Sequence, residues 1–207
     1  MAQSNLSREN QGRKSDQRIQ EILDAAIMTL VEAGYHNFSL RKVALRAGIS
    51  VGNLQYYFHT KEGLVSAMLD ATIDVYLRKF DVIRREGTPR EQLTRIIALV
   101  VNDLKKKHTT FFFPELWSLA NHEKGIVSHM DAMYGKYREV LEGIISDINP
   151  LLSKKQIRRM SLFICASLEG HTLFVGYRKP WIREAPHVIS MATESFLWMI
   201  ENEKIPD

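Results

Sequence analysis

The sequence predicts an all-α fold, and three observations predict it. Apolar residues recur at helical spacing along most of the chain. Capping residues and Gly/Pro breakers divide that pattern into helix-length pieces. No stretch shows strand-like alternation or a solenoid-type repeat. With 207 residues, 45% of them apolar, the chain can bury a sizeable core.

The elements follow in order. Residues 1–14 are polar and aperiodic and read as a flexible arm carrying Arg8, Arg13 and Lys14. Such an arm can reach a minor groove; a solvated tail has the same composition. Ile19, Ile22, Leu23, Ala26, Ile27 and Leu30 then share one helix face, with Ser15 or Asp16 to cap its start and Gly34 to end it. Ser39 caps a short second helix that turns Leu40, Val43, Ala44 and Ala47 inward and stops at Gly48. Ser50 caps a third, which sends Leu54, Tyr57 and Phe58 to the core. Thr60 caps a fourth, running through Leu64, Met68, Ile73 and Tyr76 to near Arg85. After the breaker Glu86-Gly87-Thr88-Pro89, helices are expected near 90–107, 109–122, 125–147, 153–177 and 186–203.

Composition excludes several function classes. The net charge is +4, mildly basic, which permits a polyanionic partner without requiring one. Cys165 is the lone cysteine, so there is no internal disulfide and no cysteine-based zinc site; a buried small hydrophobe is the simpler reading than a redox sensor. No apolar span reaches membrane length and the N-terminus has no secretory h-region, so a cytoplasmic protein without a membrane partner is expected. His108, His122, His129, His171 and His187 are scattered, and His122-Glu123 lacks the HExxH spacing. Glu169 and His171 are too close in sequence to share a helical face, and no nucleophile elbow, Walker A or dinucleotide fingerprint is present. An enzyme, a cofactor and a metal site are not expected.

The informative stretch is residues 39–58. Two short helices joined by a tight turn cannot bury their apolar faces alone, and the stripe of the first helix supplies the third wall of a helix-turn-helix. Gly48 sits where the turn needs a positive φ or a close backbone approach, and Ile49 plugs the turn into the core. Val51, Gly52, Asn53, Gln55 and Tyr56 then point outward from the third helix. The amides of Asn53 and Gln55 can each bond an adenine edge at two points, Tyr56 offers a ring and a hydroxyl, and Gly52 lets backbone approach phosphate. Lys61 adds a cation beside a helix N-terminus.

The pattern Gly34-Tyr35, Ser39-Leu40, Val43-Ala44, Ala47-Gly48-Ile49-Ser50, Gly52-Asn53-Leu54, Tyr57-Phe58 and Thr60-Lys61-Glu62 with Leu64 resembles the TetR/AcrR family of regulators over residues 15–65. The resemblance implies a third helix in the major groove, a phosphate contact by Lys61 and a backbone contact near Ser39. Carried over by position, the candidate DNA contacts are Ser39, Ser50, Val51, Gly52, Asn53, Gln55, Tyr56, Tyr57 and Lys61. Gln55 departs from the family, which usually has tyrosine there, so an amide that reads a base can replace a stacking or phosphate contact. Tyr57 has two open roles, a core ring and a hydroxyl that reaches phosphate.

The resemblance also implies an organisation: an arm at 1–14, a DNA-binding domain at 15–62 and a helical effector-binding and dimerisation domain at 63–207. Phe111, Phe113 and Trp117 cluster near a helix break, where they can line an apolar cavity or form ordinary core. Tyr134 and Tyr137 can add to a cavity wall. Phe163, Ser167, His171 and Phe174 fall on one helical face, toward the same cavity or toward a partner subunit. These residues are the candidate contacts for a small amphipathic or aromatic effector. The last two helices, with Phe196, Trp198, Met199 and Ile200, are the candidate homodimer surface; Gly170 and Gly176 permit close helix approach. A dimeric, ligand-responsive repressor on pseudo-palindromic operator DNA is the leading expectation. An activator or a regulator without an effector, and a scaffold or enzyme with a degenerate headpiece, are the competing ones.

Overall fold

The computed structural model describes residues 2–206, with the side chains of residues 13–123 and 125–206. The helices are α1 (Ala2–Ala33), α2 (Leu40–Arg46), α3 (Val51–Tyr57), α4 (Lys61–Arg84) and α5 (Pro89–Leu104), then α6 (Lys107–Ala120), α7 (Lys124–Ile148), α8 (Lys154–Gly170), α9 (Thr172–Val175) and α10 (Ala185–Glu201). No strand occurs among the described residues, and the fold class is all-α. Two compact units can be distinguished. One comprises the residues up to Ala71 with Pro114–His129; the other comprises Thr72–Phe113 with the residues from Met130 onward. Helices α4, α6 and α7 each contribute to both.

In the first unit the expected stripe supplies the core, with Ile19 and Ile27 only half-buried. Ile22, Leu23, Ala26 and Leu30 of α1 are buried, together with Val43 and Ala44 of α2, Leu54 of α3 and Leu64, Val65 and Met68 of α4. Helix α1 starts earlier than expected, because its backbone is already helical where an arm was anticipated. Residues 2–14 contain no proline, and their Gln, Arg, Glu and Lys are good helix formers that extend a turn nucleated by the packed stripe downstream. The side chain of Arg8 lies outside the described residues; Arg13 and Lys14 are exposed.

The second unit is ordered by its caps. The Thr88 hydroxyl accepts from the Glu91 N–H while the Glu91 carboxylate accepts from the Thr88 N–H, with Pro89 opening α5. Ser153 and Gln156 repeat that reciprocal arrangement at α8. Each cap contributes about 1 kcal/mol. Leu93, Ile96 and Ile97 of α5, Leu141 and Ile144 of α7, Ile164 and Leu168 of α8 and Ile200 of α10 are fully buried.

The helix expected over 153–177 is broken after Gly170. Distant groups hold the chain there: Tyr177 N–H donates to the Leu104 carbonyl at 3.1 Å and to Thr110 Oγ1 at 2.7 Å. Gly176 is required by the same contact, since a Cβ would come within 2.7 Å of the Thr172 carbonyl and 2.9 Å of Thr110 Oγ1. It therefore serves packing inside the subunit and does not open a path for a partner helix. Gly170 has nothing within 4 Å of a built Cβ.

Candidate functional site

The turn between α2 and α3 is fixed by backbone geometry. Ser39 Oγ accepts from Lys42 N–H at 3.3 Å and starts α2. At its end the Ile49 N–H reaches the Ala44 carbonyl at 3.0 Å and the Gly48 N–H reaches that of Leu45 at 3.3 Å. This is a Schellman closure with Gly48 at φ 67°. A Cβ at Gly48 would touch nothing within 4 Å, so the dihedral alone requires glycine. Ser50 Oγ accepts from Asn53 N–H at 3.1 Å and starts α3. Both serines accept through a lone pair and keep the hydroxyl proton available for a phosphate oxygen.

Helix α3 has 7 residues and is about 10 Å long, against a major groove about 12 Å wide. Leu54 is its buried anchor, whereas Val51, Gly52, Asn53, Gln55 and Tyr56 are exposed, Tyr56 by 77%. Neither the Asn53 nor the Gln55 amide has a hydrogen-bond partner among the described residues. Tyr57 packs edge-on against the Tyr56 ring at 5.1 Å. Tyr57 and Phe58, expected in the core, are half-buried at the C-terminal end of α3.

Lys61 opens α4, one residue after the Thr60 hydroxyl accepts from Gly63 N–H at 3.0 Å. Its Nζ lies 3.6 Å from the Tyr35 ring centroid and 3.4 Å from the Tyr35 carbonyl oxygen. The ring face and the carbonyl thus hold the ammonium at the helix N-terminus. Partial burial lowers the Lys61 pKa, with Glu62 and Glu123 opposing, and burial raises that of Tyr35. The Tyr35 N–H donates to Glu115 Oε2 at 2.8 Å. Tyr35 enters the sequence pattern only as a family marker, and Glu115, 80 residues away, carries no local signal.

The second unit contains a cavity with about 30 Å³ of space for water-sized spheres, room for about two waters. Tyr76, Phe80, Phe113, Tyr134 and Tyr137 supply its aromatic wall, Glu169 its acidic one, and Ile73, Val100, Leu104, Thr109 and Met133 the remainder. Phe80 stacks on Tyr137 at 5.2 Å. The Tyr76 hydroxyl donates to Asp103, which also accepts from Thr109 at 3.0 Å and pairs with Lys106. Burial works to raise the Asp103 pKa, yet hydrogen bonds from Lys106, Tyr76 and Thr109 bring it below the usual value. Glu169 has no such cation: burial pushes its carboxyl up to about 7, opposed by a hydrogen bond from Tyr134. The Tyr137 hydroxyl is buried without a hydrogen-bond partner.

Of the expected effector contacts, Phe113, Tyr134 and Tyr137 line this cavity. Phe111, Trp117, Phe163, Ser167, His171 and Phe174 do not. Phe111, Phe163 and Phe174 are exposed, Ser167 and His171 are half-buried, and Trp117 lies past Pro114 in the first unit. The break after Gly170 takes His171 and Phe174 off the face that Phe163 and Ser167 begin. Tyr76, Phe80 and Glu169 were missed as lining residues. The available signal was an acid at 169 on the same stripe as the buried Ser161, Cys165 and Leu168.

Residues 22–68 match the family described as "Bacterial regulatory proteins, tetR family". The fatty acid metabolism regulator protein of Bacillus subtilis (strain 168) is 23% identical over 128 residues, 61% of this chain and 66% of that protein. The transcriptional regulator RutR of Escherichia coli (strain K12) is 36% identical over 78 residues, 38% of this chain and 37% of that protein. A transcriptional regulator of Rhodococcus sp. Rha1 has the same fold, with a TM-score of 0.74 at 19% identity over 89% of this chain and 96% of that one. Residues 22–68 carry the N-terminal region of the TetR family.

That match, with relatives that are transcriptional regulators, supports a DNA-binding regulator and not an enzyme. Its cysteine is consistent with that role: the Cys165 thiol is buried and its pKa is pushed up to about 12, so it stays protonated. Among the described residues no helix is long and apolar enough to cross a membrane. The last helices carry large exposed apolar side chains: Leu162 and Phe163 on α8, Leu173 and Phe174 on α9, Met191 and Trp198 on α10. Phe196 and Ile200, expected on a dimer surface, are instead buried within the subunit.

Proposed function

We propose that this protein is a dimeric, ligand-responsive repressor that reads a two-fold operator with the outward row of α3. The observation that carries the reading is that row: Val51, Gly52, Asn53, Gln55 and Tyr56 stand exposed on a helix anchored by Leu54 and a closed glycine turn. Asn53, Gln55 and Tyr56 meet base edges; Ser39, Ser50, Tyr57 and Lys61 meet the backbone. Residues 15–62 act as the DNA-binding domain, and 63–207 as the effector-binding and dimerisation domain.

Dimerisation uses α8 and α10, whose exposed Phe163 and Trp198 need an apolar partner surface. The effector enters the cavity, whose free space is small, and separates Tyr76 and Phe80 of α4 from Tyr137 of α7. Because Lys61 begins the same helix, displacement of α4 is the route from ligand to DNA contact.

A gel-shift and footprinting experiment on the DNA upstream of the gene tests the reading. Two protected half-sites, one or more helical turns apart, are expected. Binding that does not distinguish this DNA from a scrambled duplex refutes it.

A further inference from the structure

We propose that the cavity between α4, α5, α6, α7 and α8 selects an organic cation, a quaternary ammonium or protonated amine on a small apolar body; this deepens the ligand-responsive reading above and rests on it. Three independent observations converge. First, Glu169 contributes its carboxyl to the wall, and no lysine, arginine or histidine is among the lining residues. Asp103, just outside, is matched by Lys106, so the uncompensated negative charge of this region is Glu169. Second, the faces around it are aromatic. Phe80 lies 5.2 Å from Tyr137, Tyr76 lies 6.2 Å from Phe80 and 6.3 Å from Phe113. Ring faces are negative, and such a box attracts a cation most strongly when water is excluded. Third, the Tyr137 hydroxyl is buried with no partner in the empty cavity, which marks a polar contact left for a ligand.

The same features disfavour an anion. The wall offers a carboxyl and ring faces where a carboxylate or phosphate needs cations or convergent N–H donors. A carboxyl withdrawn from water with no counter-ion holds its proton to higher pH, as burial of Glu169 already indicates by raising its pKa to about 7. A bound cation supplies that counter-ion and favours the ionised Glu169. The free space holds about two waters, so binding requires the aromatic side chains to part.

Calorimetric titration at about pH 8 with three probes sharing one phenyl ring tests the proposal: benzyltrimethylammonium, benzyl alcohol and phenylacetate. The cation is expected to bind about tenfold or more tighter than the alcohol, and phenylacetate weakest. Glu169→Gln should abolish the cation's advantage over the alcohol, and a far-UV spectrum and cooperative melt like the parent's report that the variant is folded. Equal affinities in the wild-type protein, or a Gln variant that keeps the preference, overturn the proposal. Release of operator DNA by palmitoyl-CoA with no response to the ammonium overturns the cation class and leaves the ligand-responsive reading standing. Failure of all four compounds to bind or to release DNA counts against both.

Discussion

Gln55→Ala isolates the contribution of one side chain to sequence recognition. The side chain is exposed and its amide has no hydrogen-bond partner among the described residues. Truncation therefore removes nothing from the folded monomer, and the unfolding free energy should stay within about 0.5 kcal/mol of the parent. In the complex the same amide can bond one base edge at two points, and a contact of that kind discriminates by about 1–3 kcal/mol, or about 5- to 150-fold in affinity. Fluorescence anisotropy with the operator and a scrambled duplex, at several salt concentrations, separates the terms. Operator affinity should fall by that factor, with affinity for the scrambled duplex and the slope of log K against log salt unchanged, because no charge has been removed. An equal loss on both duplexes, or a stability change above about 1 kcal/mol, would refute the base-reading role.

Lys61→Ala should weaken both duplexes alike and lower the salt slope by about one, as removal of one phosphate contact requires; a sequence-dependent loss would contradict it. Gly48→Ala should cost about 1–2 kcal/mol in urea denaturation, the penalty of a left-handed residue, since its Cβ meets nothing within 4 Å; a neutral result would mean the turn changes shape. Glu169 titrates at about 7 in the folded chain against an ordinary value of 4.5, so between these values the folded state holds a proton the unfolded state has lost. Its contribution to stability is full below about 4.5, declines up to about 7 and is level above. The groups facing it are Tyr76 of α4, Tyr134 and Tyr137 of α7 and Cys165 of α8; Tyr76, Tyr137 and Cys165 are raised and stay neutral throughout. Thermal melts of Glu169→Gln across this range should lack the decline; parallel profiles for variant and parent would refute the assignment.

The headpiece was legible because its determinants are local. Ser39, Ser50 and Thr60 cap the helices that follow them within three residues, and Gly48 closes a turn through bonds to Leu45 and Ala44. The cavity was legible only in part, because helical spacing cannot tell a wall from a surface. Phe163 and Phe174 carry the same aromatic signal as Phe113, yet they are exposed while Phe113 lines the cavity. The break after Gly170 depends on Thr110 and Leu104, more than sixty residues upstream, and such partners leave no mark in the segment they reshape. Sequence spacing relates Glu169 only to its neighbour His171, whereas the aromatic wall beside it comes from helices remote in sequence.

Leu54 is the one side chain of α3 buried in the headpiece core, and the glycine turn before it is held by main-chain bonds. The amino acids at 51, 53, 55 and 56 can therefore be exchanged with little consequence for folding, while on the proposed function each exchange would alter what is read in the groove. Divergence of DNA preference is decoupled from the stability threshold that constrains most mutations. A duplicated gene for this protein could acquire a new operator by a few substitutions in one seven-residue helix, without first accumulating stabilising changes elsewhere.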